Sequence, residues 1–287
     1  MLSDAVRSLL CPVCRNSLTL FAASGGSRLT CPQGHSFDAA RQGYFNMLVG
    51  KGTVFEADTA AMVAARFDFL SKGHYRPLAE AVAELARPAL RGPQPTVLDA
   101  GTGTGHYLHA LLAAVPAGAI GLDISKFALR RAARLNPDAV NLVSDVWQPL
   151  PVADAAVDVV TVVFAPRNAA EFARVLRPGG RLIVVTPRPG HLAEIADQAG
   201  MLGIEPAKEE RLAGSLEGHF AAHSTRELDL ELGLGPDDVR NLALMGPAGH
   251  HLDPAALEGL VGTLPPVTKV SARFRMSVFV PLQRPSA

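Results

Sequence analysis

Val97-Leu98-Asp99-Ala100-Gly101-Thr102-Gly103-Thr104-Gly105 is the stretch that decides the fold. A β-branched, apolar run from Thr96 to Leu98 meets glycines at alternate positions, and an amphipathic segment follows from His106. Strand, tight turn and helix in that order make the local geometry of a nucleotide-cradling loop. Alternate glycines clear side chains from the path of a ligand lying on the backbone, and they allow positive φ. The dinucleotide fingerprint G-x-G-x-x-G would need a glycine at 106, where the chain has His106. The pattern is instead D-x-G-x-G-x-G, with an acid two residues before the first glycine.

Working outward, the rest of the βαβ unit fits. A helix over 106–115 leads to a second strand ending at Asp123, 22 residues past Gly101. An acid at that position is placed to grip a ribose diol, because a carboxylate accepts two hydroxyl hydrogen bonds at once. Ser125 caps a basic helix carrying Lys126, Arg130, Arg131 and Arg134, read as a solvated face ahead of an RNA surface. A third strand spans Val140 to Val143 and ends at Ser144-Asp145-Val146, with Trp147 next to it. The fourth, Val157 to Phe164, exits into Ala165-Pro166-Arg167-Asn168, and ligands sit at the carboxyl ends of such strands. A helix over 168–176, a Pro178-Gly179-Gly180 turn and a strand follow. Leu228 to Leu232 and Val267 to Val280 read as strands, the last fitting an antiparallel sheet edge. Between them lie two short helices and Met245-Gly246-Pro247-Ala248-Gly249-His250-His251, a candidate lining of the substrate cleft. Adjacent His250 and His251 do not converge easily on one metal ion.

A chain of 287 residues, 48% apolar and 19% charged, has room for one large domain and a small one. Lys+Arg and Asp+Glu both total 27, so net charge neither favours nor excludes a nucleic-acid partner. Residues 1–52 are locally basic, with Arg7, Arg15, Arg28, Arg41 and Lys51 against Asp4 and Asp38. The start lacks a cationic flank and apolar core of a signal peptide, and Val157 to Ala165 is too short to span a bilayer. The expectation is a cytoplasmic protein with no membrane partner.

All three cysteines lie in the first 31 residues, in the pattern Cys11-x2-Cys14-x16-Cys31-x3-His35. Each pair forms a tight knuckle, and two knuckles complete a tetrahedron for one Zn²⁺, closed to catalytic water. Redox use of the C-x-x-C pair leaves the second knuckle unexplained, and a disulfide would strand one cysteine. About 40 residues cannot bury a self-sufficient core, so the metal must supply folding energy. Leu18, Leu20, Leu29 and Phe37 alternate as in short strands, and the arginines with Tyr44 and Phe45 suit RNA contact by phosphate pairing and base stacking. Protein contact alone is the competing use.

The acid–glycine loop resembles the first motif of the class I S-adenosylmethionine-dependent methyltransferases. Cys-Pro-x-Cys, followed by Cys31-Pro-x-x-His35-x-Phe-Asp-x-Ala-Arg41-x-Gly-Tyr-x-Asn46, is similar to the signature of the bacterial large-subunit ribosomal RNA guanine-N1 methyltransferases. The likeness continues through Asp58-Thr59-Ala60-Ala61-Met62 and Phe69 to Tyr75, covers most of residues 11–191, and thins after that. The fold it implies is an α/β class I methyltransferase with a seven-stranded sheet behind a small zinc-binding domain. Domains then run 1–50 (zinc ribbon, RNA recognition), 51–90 (helical connector) and 91–287 (methyltransferase). In the connector, Asp58 or Thr59 caps a helix to Leu70, and a second helix starts at Pro77.

That resemblance implies S-adenosylmethionine and one structural Zn²⁺ as cofactors, with Cys11, Cys14, Cys31 and His35 as metal ligands. It implies a donor site of Tyr75, Asp99, Gly101, Gly103, Thr104, Asp123, Ile124, Asp145, Val146 and His191. Asp145 faces the adenine amino group, and His191 lies toward the carboxylate. Trp147 either stacks on adenine or plugs the sheet edge. Phe164, Pro166 and Arg167 are the acceptor-side candidates; the aromatic-Ala-Pro run matches the family, while Arg167 and Asn168 depart from it. The implied substrate is a guanine in a 23S rRNA hairpin near the peptide exit tunnel, bound jointly by zinc module and cleft. Some relatives link this methylation to resistance to macrolides such as tylosin, and the resemblance also implies a homodimer. No residue announces itself as acceptor of the guanine N1 proton. Two rivals stand beside this reading. One is a small-molecule methyltransferase with a scaffolding zinc site; the other is a zinc-dependent RNA-binding protein with an inactive methyltransferase fold.

Overall fold

Thr96–Ala100 (β5) is buried along its whole length, as a strand covered on both faces must be. It pairs in parallel with Gly118–Asp123 (β6) on one side and with Val157–Val163 (β8) on the other. The structure is a computed structural model and describes residues 2–23, 26–50, 52–196 and 214–282. Val140–Val143 (β7) follows β6, and Leu176–Pro187 (β9) follows β8. Thr268–Pro281 (β11) runs antiparallel to β9, and Phe220–Leu234 (β10) antiparallel to β11. Strand order therefore reverses between β5 and β8, and at such a switch point the loops part to leave a crevice.

These are the seven strands the sequence implies, and an eighth joins them. Tyr44–Asn46 (β4), from the cysteine-rich end of the chain, pairs in parallel with β7 and closes that edge. The other short strands, Thr19–Ala23 (β1), Gly26–Thr30 (β2) and Ser36–Asp38 (β3), form a separate antiparallel sheet. The amino-terminal helix Leu2–Arg7 (α1) and Leu9 are not held apart from the large sheet either. Ala5, Val6 and Leu9 share one core with Ile120, Leu122 and Leu142, and Leu10 N–H donates to Pro151 O at 3.0 Å.

The two faces of the sheet follow from strand alternation. Leu98, Val160, Val162 and Val184 point to the face carrying Leu9 and Phe172. Val97, Val159, Ile183 and Val185 point to the face covered by helices α3 (Arg76–Ala86) and α4 (His106–Ala114). Helix α2 (Ala60–Ser71) starts where Thr59 caps it, its hydroxyl accepting from Met62 N–H at 3.2 Å. Helix α5 (Lys126–Leu135) is capped likewise by Ser125. Helices α6 (Ala169–Val175), α7 (Ala193–Ala196), α8 (Pro236–Leu244) and α9 (Pro254–Val261) follow along the chain.

Two local expectations are corrected. The Pro178-Gly179-Gly180 segment is no turn between elements; it is a bulge within β9, which slips register between the Val157 and Val159 pairings. The Leu228–Leu232 strand is much longer, running Phe220–Leu234, because His223, Arg226, Glu227, Asp229 and Glu231 mask the alternation with charge. Charged side chains on such an edge discourage pairing with another chain.

Candidate donor site and metal centre

The metal centre is built from two knuckles held face to face. Cys11 N–H donates to Asn16 O at 2.8 Å and Cys31 N–H to His35 O at 3.1 Å, each closing a tight turn. Arg15 at φ 60° and Gly34 at φ 83° turn the chain back behind the ligands. The four ligand atoms of Cys11, Cys14, Cys31 and His35 lie within 4.8 Å of one another. Cys14 Sγ is 3.6 Å from Cys31 Sγ, and Cys31 Sγ is 3.4 Å from His35 Nδ1. Zn–S bonds of about 2.3 Å in a tetrahedron set sulfurs about 3.8 Å apart, so the cluster fits the ion. The backbone N–H of Asn16 draws the Cys14 thiol down to about 6, toward the ligating thiolate. Burial works the other way on Cys11 and raises it.

At the switch point the glycines are stereochemically required. Gly101 has φ 78°, and a Cβ there would overlap the Ala165 methyl beyond β8. Gly103 has φ 55° and donates its N–H to Asp123 Oδ2 at 2.8 Å, while Ser125 N–H holds Asp123 Oδ1 at 2.8 Å. Thr104 is buried, and its hydroxyl lies 2.9 Å from His106 Nδ1. Asp99 is 1% exposed; Thr161 Oγ1 donates to its Oδ1 at 2.6 Å, and Oδ2 has no hydrogen-bond partner. Burial raises the pKa values of both Asp99 and Asp123, as expected of carboxylates that lack a cation in direct contact.

Tyr75 closes the same crevice from the start of α3. It is 3% exposed, packed edge-on against Phe69 and Phe274 at 5.1 and 5.0 Å, and its hydroxyl has no partner. Both Asp99 Oδ2 and Tyr75 Oη are thus buried polar atoms that a polar ligand could satisfy. His191 packs its ring on Phe274 at 4.9 Å, and its Nδ1 lies 3.0 Å from both N and O of Arg273. Asp145, 2% exposed, receives Trp147 N–H on Oδ1 and the Thr53 hydroxyl on Oδ2, both at 2.9 Å. Ile124 and Val146 are half-buried beside these acids, and Asn168 Nδ2 donates to Val146 O at 3.0 Å.

The expected donor residues thus line the carboxyl ends of β5, β6 and β7, with Tyr75 and His191 reached through Phe274. Residues 97–180 match the family model described as a methyltransferase domain, and residues 9–50 the one described as RlmA, N-terminal. A 23S rRNA (guanine(748)-N(1))-methyltransferase of Streptomyces fradiae is 44% identical, over 98% of this chain and 100% of that protein. The chain belongs to the 23S rRNA (guanine-N1)-methyltransferase family. A Micromonospora griseorubida protein named for the same class of activity is 46% identical over 97% of this chain and 99% of its own. A Bacillus subtilis member is 37% identical over 64% of this chain and 66% of its own. The fold is that of a class I methyltransferase behind a zinc ribbon, with S-adenosylmethionine and Zn²⁺ as cofactors.

Among the residues expected on the acceptor side, Phe164 is 45% exposed at φ 55°, where β8 ends, within 5.8 Å of Phe274 and 6.5 Å of Tyr107. Pro166 is exposed; Arg167 is half-buried, with no carboxylate within 4.0 Å among the described residues, and burial lowers its pKa. Trp147 is 48% exposed and leans on Phe55 at 6.3 Å, so it does not plug the sheet edge.

Two site residues escaped sequence reasoning. Thr53 comes from the connector loop, and nothing in a Gly-Thr-Val-Phe run signals a contact with Asp145, 92 residues away. Arg66 lies on α2 over the glycine loop, its Cδ 3.6 Å from where a Gly103 Cβ would be. Its guanidinium pairs with Asp58 and donates to Met245 O at 2.7 Å. The 245–251 segment is therefore drawn over the crevice, with His250 Nδ1 3.5 Å from Glu56. Among the described residues no helix is long and apolar enough to cross a membrane.

Proposed function

We propose that this chain methylates N1 of a guanine in 23S rRNA. One observation supports this above the rest: the Cys3His cluster and the acid–glycine crevice stand on one chain, and its 44–46% likeness to the named relatives runs through both. A small-molecule methyltransferase has no need of the first, and a binding protein with a dead fold has no need of the second, with its buried, unpaired Asp99 Oδ2 and Tyr75 Oη.

When bound, S-adenosylmethionine supplies an electrophilic methyl group on a sulfonium. The residues of the chain divide its binding between them. Asp123 keeps lone pairs free on both oxygens for the ribose hydroxyls, since each oxygen receives only one backbone N–H. Asp145 Oδ2, which accepts from Thr53, would also take the adenine amino group, with Ile124 and Val146 as apolar walls. Gly101, Gly103 and Thr104 leave a bare backbone for the methionine part. Asp99 and Tyr75 would meet its polar end, and His191 would lie toward its carboxylate. The donor so held would supply its methyl group to guanine N1, whose proton would pass to water. Positioning is the main contribution left to the protein. A base paired in a helix must first leave its stack, and exposed Phe164 and Trp147 offer it aromatic faces.

Recognition of a hairpin near the exit tunnel, homodimer formation and macrolide resistance belong to the same reading. The purified chain, S-adenosylmethionine and 23S rRNA transcripts test it: methyl transfer to guanine N1 within a transcribed hairpin is expected. Transfer to no RNA, or to a small acceptor only, contradicts it. Sedimentation addresses the dimer, and macrolide sensitivity of an expressing strain addresses resistance.

A further inference from the structure

The net charge of this chain is zero, yet one helix face is uniformly cationic. Lys126, Arg130 and Arg134 occur at i, i+4 and i+8 of α5, so they form a single stripe about 12 Å long. Like charges at i, i+4 destabilise a helix, and a lysine in the first turn opposes the helix dipole. Of the three, only Arg134, in the last turn, is favoured by the helix dipole.

Several arginines elsewhere are neutralised: Arg66, Arg174, Arg177, Arg188, Arg226 and Arg240 each hold a carboxylate. None of the three stripe residues has a carboxylate within 4.0 Å among the described residues. Instead an aromatic ring braces two of them, Lys126 Nζ lying 5.5 Å and Arg130 Cζ 5.3 Å from the centre of Phe127. A cation–π contact holds a cation in place without consuming its charge.

The placement of the stripe matters as much as its sign. Its first residue follows Ser125, which Asp123 holds in the donor crevice. Further along the helix, Ala133 lies 4.0 Å from where a Gly43 Cβ would be, in the turn that carries exposed Arg41 of the zinc module. The cations therefore run from the mouth of the donor site to the zinc ribbon. We infer that this face of α5, continued by Arg41, binds the phosphate backbone of the substrate RNA between the zinc module and the catalytic cleft. The inference rests on the RNA-methyltransferase reading above. Consecutive stripe residues are about 6 Å apart, a spacing that lets each reach a different phosphate. An anionic membrane is the lesser fit, because the stripe carries no exposed large apolar side chain to insert.

The test uses the zinc-loaded full chain, the triple variant Lys126→Gln/Arg130→Gln/Arg134→Gln, and a control, Arg87→Gln/Arg91→Gln, which removes two exposed cations elsewhere. Affinity for a transcribed 23S rRNA fragment is measured across a salt series, with S-adenosylmethionine binding followed by calorimetry. The triple variant is expected to bind RNA at least tenfold more weakly at about 150 mM salt. Its slope of log affinity against log salt should be shallower by about two to three. Its S-adenosylmethionine affinity should be unchanged, and the control should match the wild type in both. RNA affinity and slope within twofold of wild type, equal losses in the control, or loss of binding only to anionic phosphatidylserine vesicles would each overturn the inference. Absence of salt-dependent RNA binding by the wild type would overturn the underlying reading as well, and so separates the two failures.

Discussion

Replacing Tyr75 by phenylalanine should move stability and ligand binding in opposite directions. The ring is 3% exposed and packed on Phe69 and Phe274, so the phenylalanine ring keeps that packing. Only the hydroxyl is lost, and in the ligand-free protein it has no partner. An unmade hydrogen bond of a buried hydroxyl costs about 1–3 kcal/mol, so Tyr75→Phe should stabilise the free protein by about 1 kcal/mol. At about 2.1 cal/mol/K of unfolding entropy per residue, 1 kcal/mol raises Tm by about 2 °C in a chain of 287 residues. A neutral hydrogen bond to S-adenosylmethionine is worth about 0.5–1.5 kcal/mol, so affinity should fall about 2- to 12-fold. Burial, with Tyr107 nearby, raises the Tyr75 pKa well above its ordinary value, so the phenol stays neutral across any practical assay pH. Calorimetric titration and thermal unfolding of the same preparation measure both effects. A lowered Tm in the free variant, or unchanged affinity for S-adenosylmethionine, would refute the reasoning.

Three other perturbations have defined outcomes. Gly101→Ala drives a methyl into Ala165 at a positive φ, combining backbone strain with overpacking; a loss of about 2–5 kcal/mol in stability and no detectable S-adenosylmethionine binding are expected by denaturant titration and calorimetry. Chelation of zinc, or Cys31→Ser, should lower the unfolding temperature of the whole chain, because Leu9 and Leu29 share a core with Leu98 and Ile120; a separate low-temperature transition that spares the main one would contradict this. Burial, with His109 close by, depresses His106 to about 4, below the ordinary imidazole value. The unfolded chain then binds more protons than the folded one between about pH 4 and 6.5, so stability rises with pH through that window and is flat above it. A His106→Gln variant should lose that part of the slope in pH-dependent unfolding, and an unaltered slope would exclude His106 as its source.

The parts of the fold legible in the sequence are those where local pattern and tertiary role coincide. Alternate glycines after an apolar run mark a turn whatever surrounds them, and Asp123 and Asp145 follow from where parallel strands end. The knuckle spacing is legible because ligand geometry is local to each pair. Other features are set by distant partners. Tyr44–Asn46 is too short to declare itself a strand, and its pairing with β7 depends on residues about 97 positions away. β10 is hidden because its exposed face carries the charges of an edge strand. Thr53 and Arg66 reach the site through folding of the connector over the crevice, and their local sequence is ordinary. The α5 cations illustrate a different limit: they are plain in the sequence, but only the structure separates paired from unpaired charge.

Modification mapping of 23S rRNA tests the central claim most directly. Transcribed rRNA treated with this chain and S-adenosylmethionine, digested and analysed by mass spectrometry, should yield one N1-methylguanosine at a single site, and none with Asp123→Ala. An unmodified transcript, or a methyl group on another atom or base, would contradict the assignment.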